Sequence, residues 1–296
     1  MTRLLALLVL CLSYAALARA DGQPRQWINA TDSCPESQIW FMRTVILDKE
    51  VKSAWVEVAS NGRVAVYVNG YNTSTDVLTP YRPGDRTMRS FRCQATPFVS
   101  SDTCRLAVWY SPFLKSYNGR QLSLTFYGTY TDGSHFAFET DGSWSWTAAP
   151  ATTHLSRGET EHIGYGSTDV EWLSDDLPLP SLLPVSVTCG SEITLPSRPL
   201  LIRHIYPCRL ALSSSTSLTY LSPHPFRGWV RVTLRGMKKG QSVTVNGLHY
   251  TCGGILDEQA CRRFTMPDDK TTTIRITSPC GIHESNIMSV EAIDIY

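Results

Sequence analysis

The sequence predicts an all-β protein built as two tandem antiparallel β-sandwich domains of jelly-roll-like type. Apolar residues alternate with period two along most of the chain, turn dipeptides separate the alternating runs, and no stretch beyond the first twenty residues carries a sustained 3.6 period. Strands recurring every ~8 to 12 residues with such turns make sheets that each bury one face, and two such faces must pack together.

In chain order, Thr2 and Arg3 precede the apolar run Leu4 to Leu12, and Ala18-Arg19-Ala20 supplies the small residues of a cleavage site. Residues 1–20 therefore read as an export signal, the apolar stretch being too short for a membrane anchor. Ala54, Val56 and Val58 alternate with Trp55, Glu57 and Ala59, and after Asn61-Gly62 the pattern resumes at Val64, Val66 and Val68, which predicts a hairpin. Leu122, Leu124 and Phe126 lead through Asp132-Gly133 to Phe136 and Phe138. Val230, Val232 and Leu234, a glycine-bounded turn at Gly236 to Gly240, Val243 and Val245, Asn246-Gly247, and Ile274 with Ile276 continue the style in the second half. Pro178, Pro180 and Pro184 cannot donate ladder hydrogen bonds and predict a stiff connector. The expected organisation is a first sandwich over 21–178, a linker over 179–184 and a second sandwich over 185–296.

Composition narrows the function. Among 296 residues, 27 Lys and Arg against 26 Asp and Glu give a formal charge of +1, without the clustered cations that a nucleic acid or acidic membrane demands. Hydrophobic residues at 42% support a real core, so disorder is excluded. Removal of Cys11 with the leader leaves Cys34, Cys93, Cys104, Cys189, Cys208, Cys252, Cys261 and Cys280, an even set that in an exported chain points to disulfides. Short separations favour Cys93 with Cys104, Cys189 with Cys208 and Cys252 with Cys261, leaving Cys34 with Cys280. Zinc is the rival, and the spacing lacks its paired C-x-x-C elements.

Motifs of hydrolases, zincins and nucleotide enzymes are absent. The seven histidines are dispersed; His154 and His162, with Glu159 and Glu161, form a polar stretch that reads either as a cation-binding loop or as a solvated turn. Carboxylates such as Asp141 and Glu159 are available for glycosidase chemistry, but sequence spacing in a β-rich chain does not fix their separation. Trp144 and Trp146 lie two apart and share a face in a strand. With Trp109 they supply either a stacking platform for sugar C–H faces, flanked by Asp141, or core packing.

The ordered set of motifs resembles the N-terminal β-sandwich domains of bacterial α-L-rhamnosidases. It comprises the run from Ile39 to Val45, "VKSAWVEVASNGRVAVYVNG" from Val51, "VLTPYRP" from Val77, "LAVWY" from Leu106, "QLSLTFYGTYTDGS" from Gln121, "ETDGSW" from Glu139 and "FRGWVRVTLRGMKKGQSVTV" from Phe226. The resemblance implies a sugar-binding scaffold without the helical catalytic barrel, so no catalytic residue carries over. It also implies recognition of L-rhamnose through bound calcium, with Asn69, Asp76 and Pro80 as binding positions and Asn69 and Asp76 as metal ligands. The strand "RSFRCQAT" at Arg89 departs from the more acidic one of that family. The expected function is a secreted or periplasmic, non-catalytic carbohydrate-binding protein. Its partners would be a glycan, rhamnose-containing by the resemblance, and a separate glycosidase, with no nucleic acid and no transmembrane segment. A compact glycoside hydrolase or lyase and a structural or adhesive envelope module are the alternatives.

Overall fold

The computed structural model describes residues 25–31, 34–74, 88–100, 102–112, 119–154, 160–164, 182–190, 195–196, 200–265 and 270–296. Among them strands dominate, and the helical elements are single 3-10 turns at Thr96–Phe98 and Glu284–Asn286. The all-β sandwich class expected from the alternation is the one observed.

Three sheets make two packed cores. A seven-stranded sheet runs in the order Ser186–Gly190, Arg25–Ala30, Arg120–Tyr130, Val51–Ser60, Arg89–Gln94 and Leu195–Pro196, with His135–Glu139 also paired to Arg120–Tyr130. It faces Ser145–His154, Ser37–Ile46, Thr103–Ser111 and Arg63–Val68 of the second sheet. Between them lie Ile39, Phe41, Val56, Val58, Val66, Val108, Leu124 and Phe126, the inward halves of the alternations. A four-stranded sheet of Ile202–Pro207, Ile287–Ile295, Gly228–Arg235 and Asp257–Cys261 closes the other core. There Val230, Val232 and Leu234 meet Val243, Val245, Ile274 and Ile276.

The second sheet is continuous across both cores. Thr160–Gly164 pairs antiparallel with Ser145–His154 and parallel with Leu248–Thr251, in the register Glu161 with Leu248 through Gly164 with Thr251. One twelve-stranded sheet therefore belongs to both sandwiches. Strand pairing also carries the first unit past the expected linker. Leu183 and Pro184 pair with Trp146 and Ser145, Ser186–Gly190 pairs with Arg25–Asn29, and Leu195–Pro196 pairs with Arg89 and Ser90. The change of core falls after Pro196 rather than at residue 185.

The turn dipeptides close hairpins where the chain reverses within a sheet and an arch where it crosses between sheets. Asn246-Gly247 closes a two-residue hairpin with both residues at positive φ (40° and 83°), as a mirror-image turn requires. Asp132-Gly133 joins Arg120–Tyr130 to His135–Glu139 as expected. Asn61-Gly62 does not form the expected hairpin, because Val51–Ser60 and Arg63–Val68 belong to different sheets and the dipeptide is an arch between layers. Its side chain makes the crossing: Asn61 Nδ2 donates to the Gly119 carbonyl, while Oδ1 accepts from Tyr110 Oη and the Gln121 amide. Gly62 is obligatory there, since a Cβ would lie 2.3 Å from the Tyr110 ring.

The tryptophans expected at a sugar platform are core residues. Trp144 and Trp146 share a face as expected, but it is the inner one, and they are 1% and 6% exposed. Trp109 is fully buried, stacked on Trp40 at 5.2 Å and met edge-on by Phe264 at 5.4 Å. No sugar face can reach any of the three rings.

No disulfide is formed among the described residues. Cys252 belongs to the second core, whereas Cys261, beside the inward Ala260, packs with Leu200, Trp229 and Ile293 on the outer face of its sheet. Strand alternation thus separates that expected pair. Cys93 stands opposite Val56 and Cys104 opposite Val45, and both partners line the first core, so these two thiols enter one interior from facing sheets.

Candidate carbohydrate-binding site

The sheet end beside Ser145 holds a cavity. Ser145–His154 begins opposite Met42, so Arg43 and Thr44 lie just beyond its reach along Ser37–Ile46. A space of about 130 Å³ opens there, lined by Arg43, Thr44, Arg105, Ser143, Ser145 and Leu182 among others. Thr44 and Arg105 are direct cross-strand partners. The lining combines basic and hydroxyl-bearing residues with aliphatic ones, a mixture suited to a small polar ligand with apolar C–H groups.

Arg43 borders this space but has the parity of Ile39, Phe41 and Val45 rather than of Thr44, and its guanidinium donates from Nη1 to the Glu139 carbonyl at 2.6 Å. The same nitrogen lies 3.1 Å from Asp141 Oδ2, and the guanidinium carbon stands 5.8 Å from the centroid of the Phe138 ring. Asp141 Oδ1 accepts from the Ser143 amide at 2.8 Å and from Ser143 Oγ at 2.5 Å. Partial burial pushes the Asp141 carboxyl upward, but hydrogen bonds from Ser143 and the charge of Arg43 outweigh it and hold the group below its ordinary value. Asp141 is thus ionised at neutral pH and bound on two sides.

Asn69 serves the site indirectly. It turns the chain at φ 50°, followed by Gly70 at 83°, between Arg63–Val68 and Tyr71–Asn72. Its Nδ2 donates to the Phe98 carbonyl at 2.9 Å, its Oδ1 accepts from the Arg105 amide at 2.8 Å, and its own amide donates to the Arg105 carbonyl. The side chain pins the backbone that presents Arg105. One lone pair of the Asn69 amide oxygen is thus given to Arg105, and among the described residues no group of three or more His, Cys, Asp or Glu side chains is placed to hold a metal ion. Asp76 and Pro80 lie outside the described residues.

Tyr71 is the aromatic that the sequence reading missed. Its ring is 62% exposed and stacks on Phe98 with centroids 5.7 Å apart and planes 23° apart. One face is backed by Phe98 and the other is open. The signal was present as a tyrosine directly after a positive-φ Asn-Gly turn, where the chain comes to the surface.

The polar stretch singled out around His154 divides between two faces. Glu161 is fully buried and accepts from the amides of Arg263 at 2.9 Å, Phe264 at 2.5 Å and Thr265. On the other face His154, His162 and the distant His249 form a file with ring centroids 4.7 and 4.4 Å apart, and Glu36 reaches His154 Nδ1 at 2.5 Å. Glu159 lies outside the described residues.

The sequence matches no protein-family model and no curated protein. Among solved structures, the fold is similar to an α-L-rhamnosidase from Dictyoglumus thermophilum, with a TM-score of 0.75 and 16% identity over 92% of this chain and 35% of that one. An α-L-rhamnosidase from Aspergillus terreus matches with a TM-score of 0.71 and 15% identity over 92% of this chain and 36% of that one. A Streptomyces avermitilis α-L-rhamnosidase complexed with L-rhamnose matches with a TM-score of 0.71 and 17% identity over 88% of this chain and 29% of that one. The chain spans about a third of the length of these structures. The expected resemblance is therefore shown as one of fold: this chain has the architecture of a β-sandwich portion of α-L-rhamnosidases.

Proposed function

We propose that this protein is an exported, non-catalytic carbohydrate-binding module whose site is the cavity bordered by Thr44, Arg105, Ser143 and Ser145. The observation that carries this reading is the cavity itself, bordered by residues that carry hydrogen-bond donors beside aliphatic ones. A sugar offers hydroxyls to the former and C–H faces to the latter. The likeness in fold to α-L-rhamnosidases supports a rhamnose-containing glycan as ligand and a separate glycosidase as partner. Export is supported by residues 1–20, and in an oxidising compartment Cys93 and Cys104 would close a bridge across the first core. Among the described residues no helix is long and apolar enough to cross a membrane.

A glycan array probed with the purified protein tests this reading. Retention of rhamnose-containing oligosaccharides is expected, and Arg105→Gln should weaken it at least about tenfold, the worth of one bond to a charged group. If the array stays silent at every saccharide, the reading is wrong.

A further inference from the structure

We propose that the file of His154, His162 and His249 is an acid-operated latch on the joint between the two sandwiches, the parallel pairing of Thr160–Gly164 with Leu248–Thr251. The latch is closed while the rings are neutral and loosens when His162 and His249 are both protonated. Strand register sets up the arrangement. His162 stands opposite Thr152 on one side and His249 on the other, and His249 in turn stands opposite Thr244. Alternation sends His162 and His249 to the face away from Ile163 and Leu248, which line the second core, and His162 is exposed there to solvent protons. Ring centroids lie 4.7 Å apart from His154 to His162 and 4.4 Å apart from His162 to His249, the latter pair stacked with planes 22° apart.

Charge balance differs between the two ring contacts. Glu36 lies 2.5 Å from His154 Nδ1, so a proton on His154 meets a counter-charge. The polar partner of His249 is the Thr244 hydroxyl, 2.9 Å from Nδ1, which brings none. Burial, then the charges of His249 and His154, oppose protonation of His162, and Glu36 favours it. Glu161, on the reverse face of the same strand, is bound to the amides of residues 263–265. Acid therefore sets two like charges face to face across the parallel pairing, whereas the antiparallel pairing with Ser145–His154 keeps a carboxylate beside it. The parallel joint spans four residue pairs and is the weaker kind of ladder per residue. Phe264 against Trp109 still ties the cores, so the event is a local opening of this ladder and not a separation of two units.

Amide hydrogen exchange of the full chain, taken at about pH 7.5 and about pH 5 on either side of the ordinary imidazole value, tests the latch. Protection factors in Thr160–Gly164 and Leu248–Thr251 should fall at the acid pH at least about fivefold further than those in Gly228–Arg235, the scale of repulsion between two unit charges at this separation in water. His249→Gln takes away the ring that lacks a counter-charge and should abolish this extra fall. If its melting temperature reveals a folding defect, His162→Gln serves in its place and should have the same effect. A fall of equal size in all strands would mean that acid weakens the whole fold and not this joint, and it overturns the latch. So does unchanged protection at the joint, or an extra fall that survives in the substituted protein.

Discussion

Glu161 shows what a single residue does here that its sequence context hides. Read beside His162, it looked like half of a solvated polar loop; alternation along Thr160–Gly164 instead turns it inward, where it accepts three consecutive amides of the 263–265 segment. A buried carboxylate with a full set of donors stabilises, while the same donors left without it are costly. Glu161→Ala should lower stability by about 3 kcal/mol, since bonds to a charged group are worth ~1.5 to 3 kcal/mol and the orphaned amides add their desolvation. Urea denaturation of the variant measures this, and a loss under ~1 kcal/mol would show that water replaces the carboxylate. The tryptophans carry the same lesson. The parity of Trp144 and Trp146 was legible, but which face looked inward depends on the strands from Ser37 and Thr103 that cover it, and those are distant in sequence. Arg43 was legible in principle as a charge at an inward parity within "IWFMRTVI", yet nothing local pairs it with Asp141 almost a hundred residues away.

At the scale of elements, period-two alternation located the strands, and Asn-Gly or Asp-Gly turns predicted hairpins correctly where the chain reverses within a sheet. The dipeptide at Asn61 failed because an arch between layers and a hairpin within one need the same tight bend, and only the side-chain bonds of Asn61 to Gly119, Tyr110 and Gln121 distinguish them. The parallel pairing of Thr160–Gly164 with Leu248–Thr251 was illegible for a similar reason, since neither strand predicts a partner so distant in sequence.

That pairing stacks His162 on His249 beside His154, which makes stability depend on pH. Burial first, then the neighbouring His249 and His154, depress the His162 pKa against the opposing pull of Glu36. The folded state thus binds this proton less readily than the unfolded chain. The contribution of neutral His162 is complete above the ordinary imidazole value of about 6.5 and is lost as pH falls through the lower folded value. The melting temperature should fall on acidification below about pH 6.5 more steeply in the native protein than in His162→Gln. Identical slopes in the two would show that the file of imidazoles is not coupled to folding. A second prediction concerns Arg89–Gln94 and Thr103–Ser111. After oxidation, peptide mapping should find Cys93 joined to Cys104, and reduction should cost about 2 to 5 kcal/mol. The Cys104 thiol, pushed up to about 12 by burial, should resist alkylation in the reduced native protein. Rapid labelling of Cys104 would place it outside the core.

The whole molecule is less divisible than two tandem sandwiches with a proline connector suggest. Three kinds of contact cross between the cores: the parallel ladder, the Glu161 carboxylate on residues 263–265, and Phe264, which seats edge-on against Trp109 within a cluster that includes Trp40, Tyr67 and Ala149. Phe264 is 3% exposed although it belongs to the second half of the chain and its contacts to the first. Trp229 Nε1 donates to the Thr265 carbonyl and ties the same segment back to the outer face of the four-stranded sheet. Opening either core alone would expose Trp109 and Trp40, strip Glu161 of its donors and leave a ladder edge unpaired. Calorimetry should therefore record one cooperative transition, with the van't Hoff enthalpy equal to the calorimetric one. Phe264→Ala removes a buried aromatic worth about 3 to 5 kcal/mol from the junction while leaving both interiors untouched. It should split that transition into two. If the native protein already melts in two steps, or if Phe264→Ala melts in one at an unchanged temperature, the shared sheet does not couple the cores.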